Sequence, residues 1–258
     1  MPSLAAILRR PFAEQVAFFR AKLGRLVPTS TWRDMMREAH DAAFMVAGAA
    51  KADLLADLAA AVDAAIAEGE SIETFRQRFA EIVQRHGWHG WTGEETEAGR
   101  AWRTRVIYVT NLRTSYAAGR YAQLKDYPYW VYRHSGSENP RLQHLAWDGL
   151  TLPADHPFWR THYPPNGWGC GCRVAGARSR EGARRLGGKP DYDTPPPGWD
   201  VPDPETGLPP GIQDGWDYAP GATVADRVRK AAADKIDKLP KPLADALASD
   251  MRRSRSQK

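Results

Sequence analysis

The chain has 258 residues, 42% hydrophobic and 26% charged, with a formal net charge of +5. That content supports a real core and excludes a disordered or collagen-like chain, and no apolar run reaches the ~20 residues needed to cross a bilayer. The positive balance permits a polyanionic neighbour without demanding one, and two cysteines separated by one glycine cannot form a disulfide framework.

The beginning, Met1 to Arg20, lacks a signal-peptide core because Arg9, Arg10 and Pro11 interrupt it, so the sequence reads as a soluble protein made in a cytoplasm. A short amphipathic segment follows from Phe12 to Ala21. Thr29, Ser30 and Thr31 then offer helix caps, and Trp32, Met35, Met36, Ala39 and Ala43 recur by threes and fours, which predicts a helix there. An alanine-rich helix carrying Leu54 or Leu55, Leu58, Val62 and Ile66 should stop at Gly69. Ser71 should cap another, with Phe75, Phe79, Ile82 and Val83 on its apolar face and Gly87 at its end. Residues 1–90 therefore read as a helical unit.

Thr92-Gly-Glu-Glu95 fits a capping box for a long helix with an expected inner stripe of Trp102, Val106, Val109, Leu112, Tyr116 and Gly119. Arg100, Arg103, Arg105, Arg113, Arg120 and Lys125 surround it as a solvated face, as a grip on phosphate, or, with Asn111, as ties to later loops. Tyr129 to Arg133 reads as a half-buried strand, after which regular signals stop. A second unit is expected over 91–186. A third, 187–258, is a proline-rich stretch whose Trp199 and Trp216 predict wrapping over the body, then a helix from Val224 to Ile236, a short one around Leu243 and Leu247, and a basic tail from Met251. The expected class is α+β: a helical amino-terminal part followed by a loop-rich module with a small antiparallel sheet.

The loop-rich stretch concentrates side chains that bind soft metals. His144, His162, Cys170 and Cys172 would make a closed Cys2His2 set for a structural zinc ion, a staple where no repeating apolar face exists. One residue between the cysteines is closer than the usual zinc spacing, so two buried thiols with backbone-bonded histidines is the plainer alternative. A hydrolytic metal site of His144, Asp148 and His162 is a further reading, although no glutamate is placed as a general base and Asp148-Gly149 has the composition of a turn. A cysteine nucleophile paired with a histidine is another.

At these residues the chain resembles the phage Mu protein F-like, or phage head morphogenesis, minor capsid proteins. The resemblance rests on Ala17-Phe-Phe-Arg-Ala-Lys-Leu23, Thr110-Asn-Leu-Arg113, Ala118-Gly-Arg120, Pro128-Tyr-Trp130, Arg141-Leu-Gln-His144 and Asp148-Gly149. It continues through Pro157-Phe-Trp159, Pro164-Pro-Asn-Gly-Trp168, Cys170-Gly-Cys172-Arg173, Pro195-Pro-Pro-Gly-Trp199 and Gly215-Trp-Asp-Tyr218, in that order. Gly171 departs from the pattern, which has arginine between the cysteines. The resemblance implies a non-enzymatic minor head protein acting in procapsid assembly with portal, scaffold or major capsid protein. It further implies a place in the virion beside packaged DNA, assembly in a bacterial cytoplasm, and neither a membrane nor a small-molecule substrate. The rival functions are a metal-dependent hydrolase or toxin using the histidine and cysteine cluster, and a DNA-binding module using the arginines from Arg100 to Arg120 with the basic tail.

Overall fold

A computed structural model describes residues 12–223 together with residues 241, 243 and 245. Four helices come first, α1 (Ala13–Arg20), α2 (Ala52–Ala67), α3 (Ile72–His86) and α4 (Glu97–Leu124). Strand β1 (Tyr129–Arg133), helix α5 (Leu142–Ala146), strand β2 (Thr151–Pro153), helix α6 (Phe158–His162), strand β3 (Arg173–Ala177) and helix α7 (Arg180–Arg185) follow. The class is α+β, with one antiparallel sheet in the order β2-β1-β3. Among the described residues no helix is long and apolar enough to cross a membrane. The expected helices at Val224–Ile236 and Leu247, and the basic tail, lie outside the described residues.

The expected stripes of α2 and α3 are the ones that bury. Leu54, Leu55, Leu58 and Val62 meet Phe75, Phe79 and Ile82 in a first core, which Phe19, Phe44, Trp88 and Trp91 close. The Ser71 hydroxyl accepts the Thr74 N–H, and Gly87 ends α3 at φ 55°, a conformation that glycine adopts without strain. The segment from Thr29 to Ala43 does not form the expected helix. Asp34 turns back to accept the N–H groups of Ser30 and Thr31, and such local bonds compete with helix propagation. Met36 is extended and Arg37 has φ 55°, leaving two short 3-10 turns, Trp32–Asp34 and Arg37–Asp41. Tertiary contacts hold this path: Arg37 pairs with Asp217 at 2.7 Å, and Asp41 accepts the Gly221 N–H at 2.7 Å.

Helix α4 is the spine, 28 residues or about 42 Å long. Ile107 belongs to the first core, while Ala117 and Leu124 belong to a second. Its cap is Thr96, whose hydroxyl accepts the Gly99 N–H at 3.0 Å, and not Thr92. Thr92 to Glu95 makes a turn, in which Glu94 bonds His89 and the Gly90 N–H. The expected stripe holds in part: Gly119 is buried and Leu112 packs against the first core. Trp102 and Tyr116 are exposed, and the buried face carries Thr104, Ile107, Thr114, Ser115 and Ala118. Each buried hydroxyl donates to a carbonyl one turn back, at 2.6 to 2.8 Å, so it enters the interior without an orphaned donor. Small side chains also let α1 lie close: a Cβ at Gly119 would stand 2.8 Å from the Gln15 nitrogen and 2.9 Å from the Phe12 ring.

Strand β1 is central and buried on both faces, not half-buried. Trp130 and Tyr132 enter the second core with Trp147, Phe158, Trp159 and Tyr163, while Val131 packs with Ala177 and Ala183 on the other side. The proline-rich stretch contributes Trp199 and Trp216 to the second core. Trp216 meets Trp168 edge-on at 5.2 Å, and Trp168 meets Trp32 at 5.8 Å, so three distant segments join through indoles.

Gly119→Ala gains about 1 kcal/mol of helix propensity, but displacing α1 costs about 1–3 kcal/mol as overpacking does. A net loss of stability is expected in urea unfolding. A more stable Gly119→Ala protein would contradict the close approach of α1 and α4.

Candidate metal centre

The site forms where three segments of the second core converge. Residues 144 and 147 lie one turn apart on the inner side of α5, so the His144 ring stacks on Trp147 at 5.3 Å and an interplanar angle of 20°. Leu142 and Leu145 take the outer side. His144 Nε2 lies 2.8 Å from the Gly211 carbonyl oxygen, an acceptor, so this nitrogen carries the proton. Nδ1 then presents its lone pair to Cys170 Sγ at 3.6 Å and Cys172 Sγ at 3.8 Å.

Both sulfurs reach one ring nitrogen from positions 170 and 172, on either side of Gly171. Cys170 closes a turn on Gly167 through a 3.0 Å backbone bond, and Cys172 directly precedes β3. The turn is clamped by side chains from elsewhere. Arg113 of α4 donates to the Gly169 carbonyl, and Arg141 donates to the Trp168 carbonyl at 2.8 Å. Gln213 Oε1 accepts the Trp168 N–H at 2.7 Å. Tyr132 of β1 donates to the Asn166 side-chain oxygen at 2.9 Å beneath the sulfurs.

Neither cysteine is in a disulfide. The Cys170 thiol is held well below the ordinary range, first by the hydrogen bond from Cys172, against burial, and then by His144 and the Asn166 backbone N–H. Cys172 is pushed up by that same hydrogen bond to Cys170, then by burial and by the charge on Cys170, although Tyr132 and the Ser135 N–H oppose the rise. Tyr132 is raised well above its usual value by burial and by the neighbouring sulfurs.

Among the described residues, His144, Cys170 and Cys172 are the set of three or more such side chains that could hold a metal, their donor atoms all within 4.8 Å of one another. His162 is not brought into the set. It is wholly buried, stacked on Phe158 at 4.4 Å and edge-on to Trp147 at 4.9 Å, and burial lowers its pKa to about 4. Its Nδ1 meets Thr161, while among the described residues Nε2 finds no hydrogen-bond partner. Nor does Asp148 join His144 and His162 as a hydrolytic site would require, because it accepts the His134 N–H at 2.8 Å and Arg133 Nε at 3.1 Å. The arginines of α4 divide: Arg103 is buried and donates to the Ala47 carbonyl, and Arg113 ties the helix to the cysteine loop, so neither belongs to a solvated basic face. Sequence reasoning missed Tyr132, Asn166, Gly211 and Gln213 as partners of the site, and only the run Pro164 to Trp168 pointed toward one of them.

Residues 56–175 match the family model described as Phage Mu protein F like protein. The chain is 38% identical over 193 residues to a protein of Escherichia phage Mu provisionally named capsid assembly protein F, covering 69% of this chain and 44% of that one. It is likewise 38% identical over 154 residues to the Mu-like prophage FluMu F protein of Haemophilus influenzae, covering 57% and 37%. The chain thus spans less than half the length of these relatives. No solved structure matches.

Burial alone would raise the Asp148 carboxyl, but the His134 N–H and Arg133, with Lys189 nearby, hold it below the ordinary carboxylate value. Its contribution to stability is therefore present above the unfolded pKa of about 3.9 and is lost as pH falls through the lower folded value. Asp148→Asn is expected to cost about 1–3 kcal/mol at neutral pH, with the gap to wild type closing in acid. Urea unfolding from pH 7 down to pH 2 checks this, and a gap independent of pH would contradict it.

Proposed function

The chain is Mu F-like across residues 56–175, and from that premise we propose that it is a minor head protein of a tailed phage or prophage, acting in procapsid assembly. The observation that carries this reading is identity of 38% sustained over 193 residues with a phage Mu protein named for capsid assembly. Its partners are other head proteins, portal, scaffold or major capsid protein, met in the bacterial cytoplasm and retained in the virion beside packaged DNA. The role is structural and not enzymatic.

Two features of the fold support it. The polar groups around the cysteine loop engage backbone carbonyls and amides, with Arg113, Arg141 and Gln213 each holding main chain, an arrangement that fixes a shape. On the outside, Trp102 is 50% exposed and Leu142 73%, large apolar groups of the kind that anchor protein interfaces.

Deleting the gene from its phage or prophage is expected to abolish infectious particles and leave heads that are malformed or poor in DNA, with the protein co-sedimenting with procapsids in the undeleted strain. Normal yields of infectious particles without the protein would overturn the assignment.

A further inference from the structure

We propose that His144, Cys170 and Cys172 bind a zinc ion that staples the loop-rich half of the protein. This inference stands apart from the role in head assembly and rests on the donor geometry. Two sulfurs and one imidazole nitrogen are the soft and borderline donors zinc selects. In a tetrahedral site with Zn–S near 2.3 Å and Zn–N near 2.0–2.1 Å, a sulfur and a nitrogen sit about 3.6 Å apart. The observed separations from Nδ1 are 3.6 and 3.8 Å. The near-equal spacing of the two sulfurs from Nδ1 is the one a shared ion requires.

The surroundings are those of a prepared ligand set. The Gly211 carbonyl takes the proton side of His144 and so fixes which nitrogen is free, the support that metal-bound histidines take from their second nitrogen. The Arg113 guanidinium lies over Gly171, where a Cβ would stand 3.3 Å from it, and so places positive charge beside the cysteine pair. Both cysteines and Arg113 line a cavity of about 490 Å³.

Such an ion would join α5 to the segment entering β3 and, through Gly211, to the proline-rich stretch. The test uses the full chain purified without a histidine tag. Elemental analysis is expected to find about one zinc per chain, as a single structural site requires. Dialysis against a chelator should remove it and lower the melting temperature. Cobalt added to the stripped protein should give the visible bands of a tetrahedral thiolate site, lost in Cys172→Ala and kept in His162→Leu. Metal-free protein whose melting temperature ignores chelator and whose two thiols both titrate would overturn the proposal, and so would a Cys170–Cys172 disulfide by mass. Loss of the cobalt bands in folded His162→Leu would overturn the assignment of the three donors.

Discussion

A buried imidazole has two nitrogens to satisfy, and His144 divides them between parts of the chain far apart in sequence. Nε2 meets the Gly211 carbonyl in the proline-rich stretch, and Nδ1 meets the paired sulfurs of Cys170 and Cys172. Stacking on Trp147 holds the ring in that plane. Turned by either neighbour, the ring would leave a buried donor or acceptor without a partner, at a cost of about 1–3 kcal/mol. A strict geometric requirement thus sits at the junction of three segments that have little regular secondary structure of their own.

The rest of the loop-rich half is arranged around that junction by two kinds of contact. Aromatic rings supply area: Trp130, Trp147, Phe158, Trp159 and Tyr163 pack together, and Trp216 joins the same core while meeting Trp168 edge-on. Side chains that hold carbonyls supply direction, Arg113 from α4 and Arg141 from the start of α5. Because α4 also carries Ile107 into the first core, the helical half and the loop-rich half share one rigid element. A protein that must present a fixed outline to neighbours in an assembly is well served by this construction, since its loops are held from both ends.

What was legible in the sequence follows from how local each signal is. Ser71 and Gly87 bound α3 through contacts within a turn, and the stripes of α2 and α3 face a core made largely by each other. Where distant residues decide, the pattern misleads. Periodicity from Trp32 to Ala43 suggests a helix, but Asp217 and Gly221, nearly two hundred residues on, take Arg37 and Asp41. On α4 the face that packs closely is built largely from threonine, serine, alanine and glycine, of which hydrophobic periodicity singles out Gly119 alone. The cysteine pair with His144 was legible because soft donors are rare and their chemistry is specific. His162 was not separable from them by composition, since only the fold shows that Trp147 and Phe158 hold it in an aromatic pocket. Gln213 and the Gly211 carbonyl had no signal at all, because a backbone carbonyl leaves no mark on residue type.

The most direct measurement is X-ray absorption at the zinc edge of the full chain as purified. A zinc staple predicts two sulfur neighbours near 2.3 Å and a nitrogen or oxygen shell near 2.0–2.1 Å, with the sulfur shell lost in Cys170→Ser/Cys172→Ser. A spectrum without sulfur neighbours, or no zinc edge from folded protein, would contradict it.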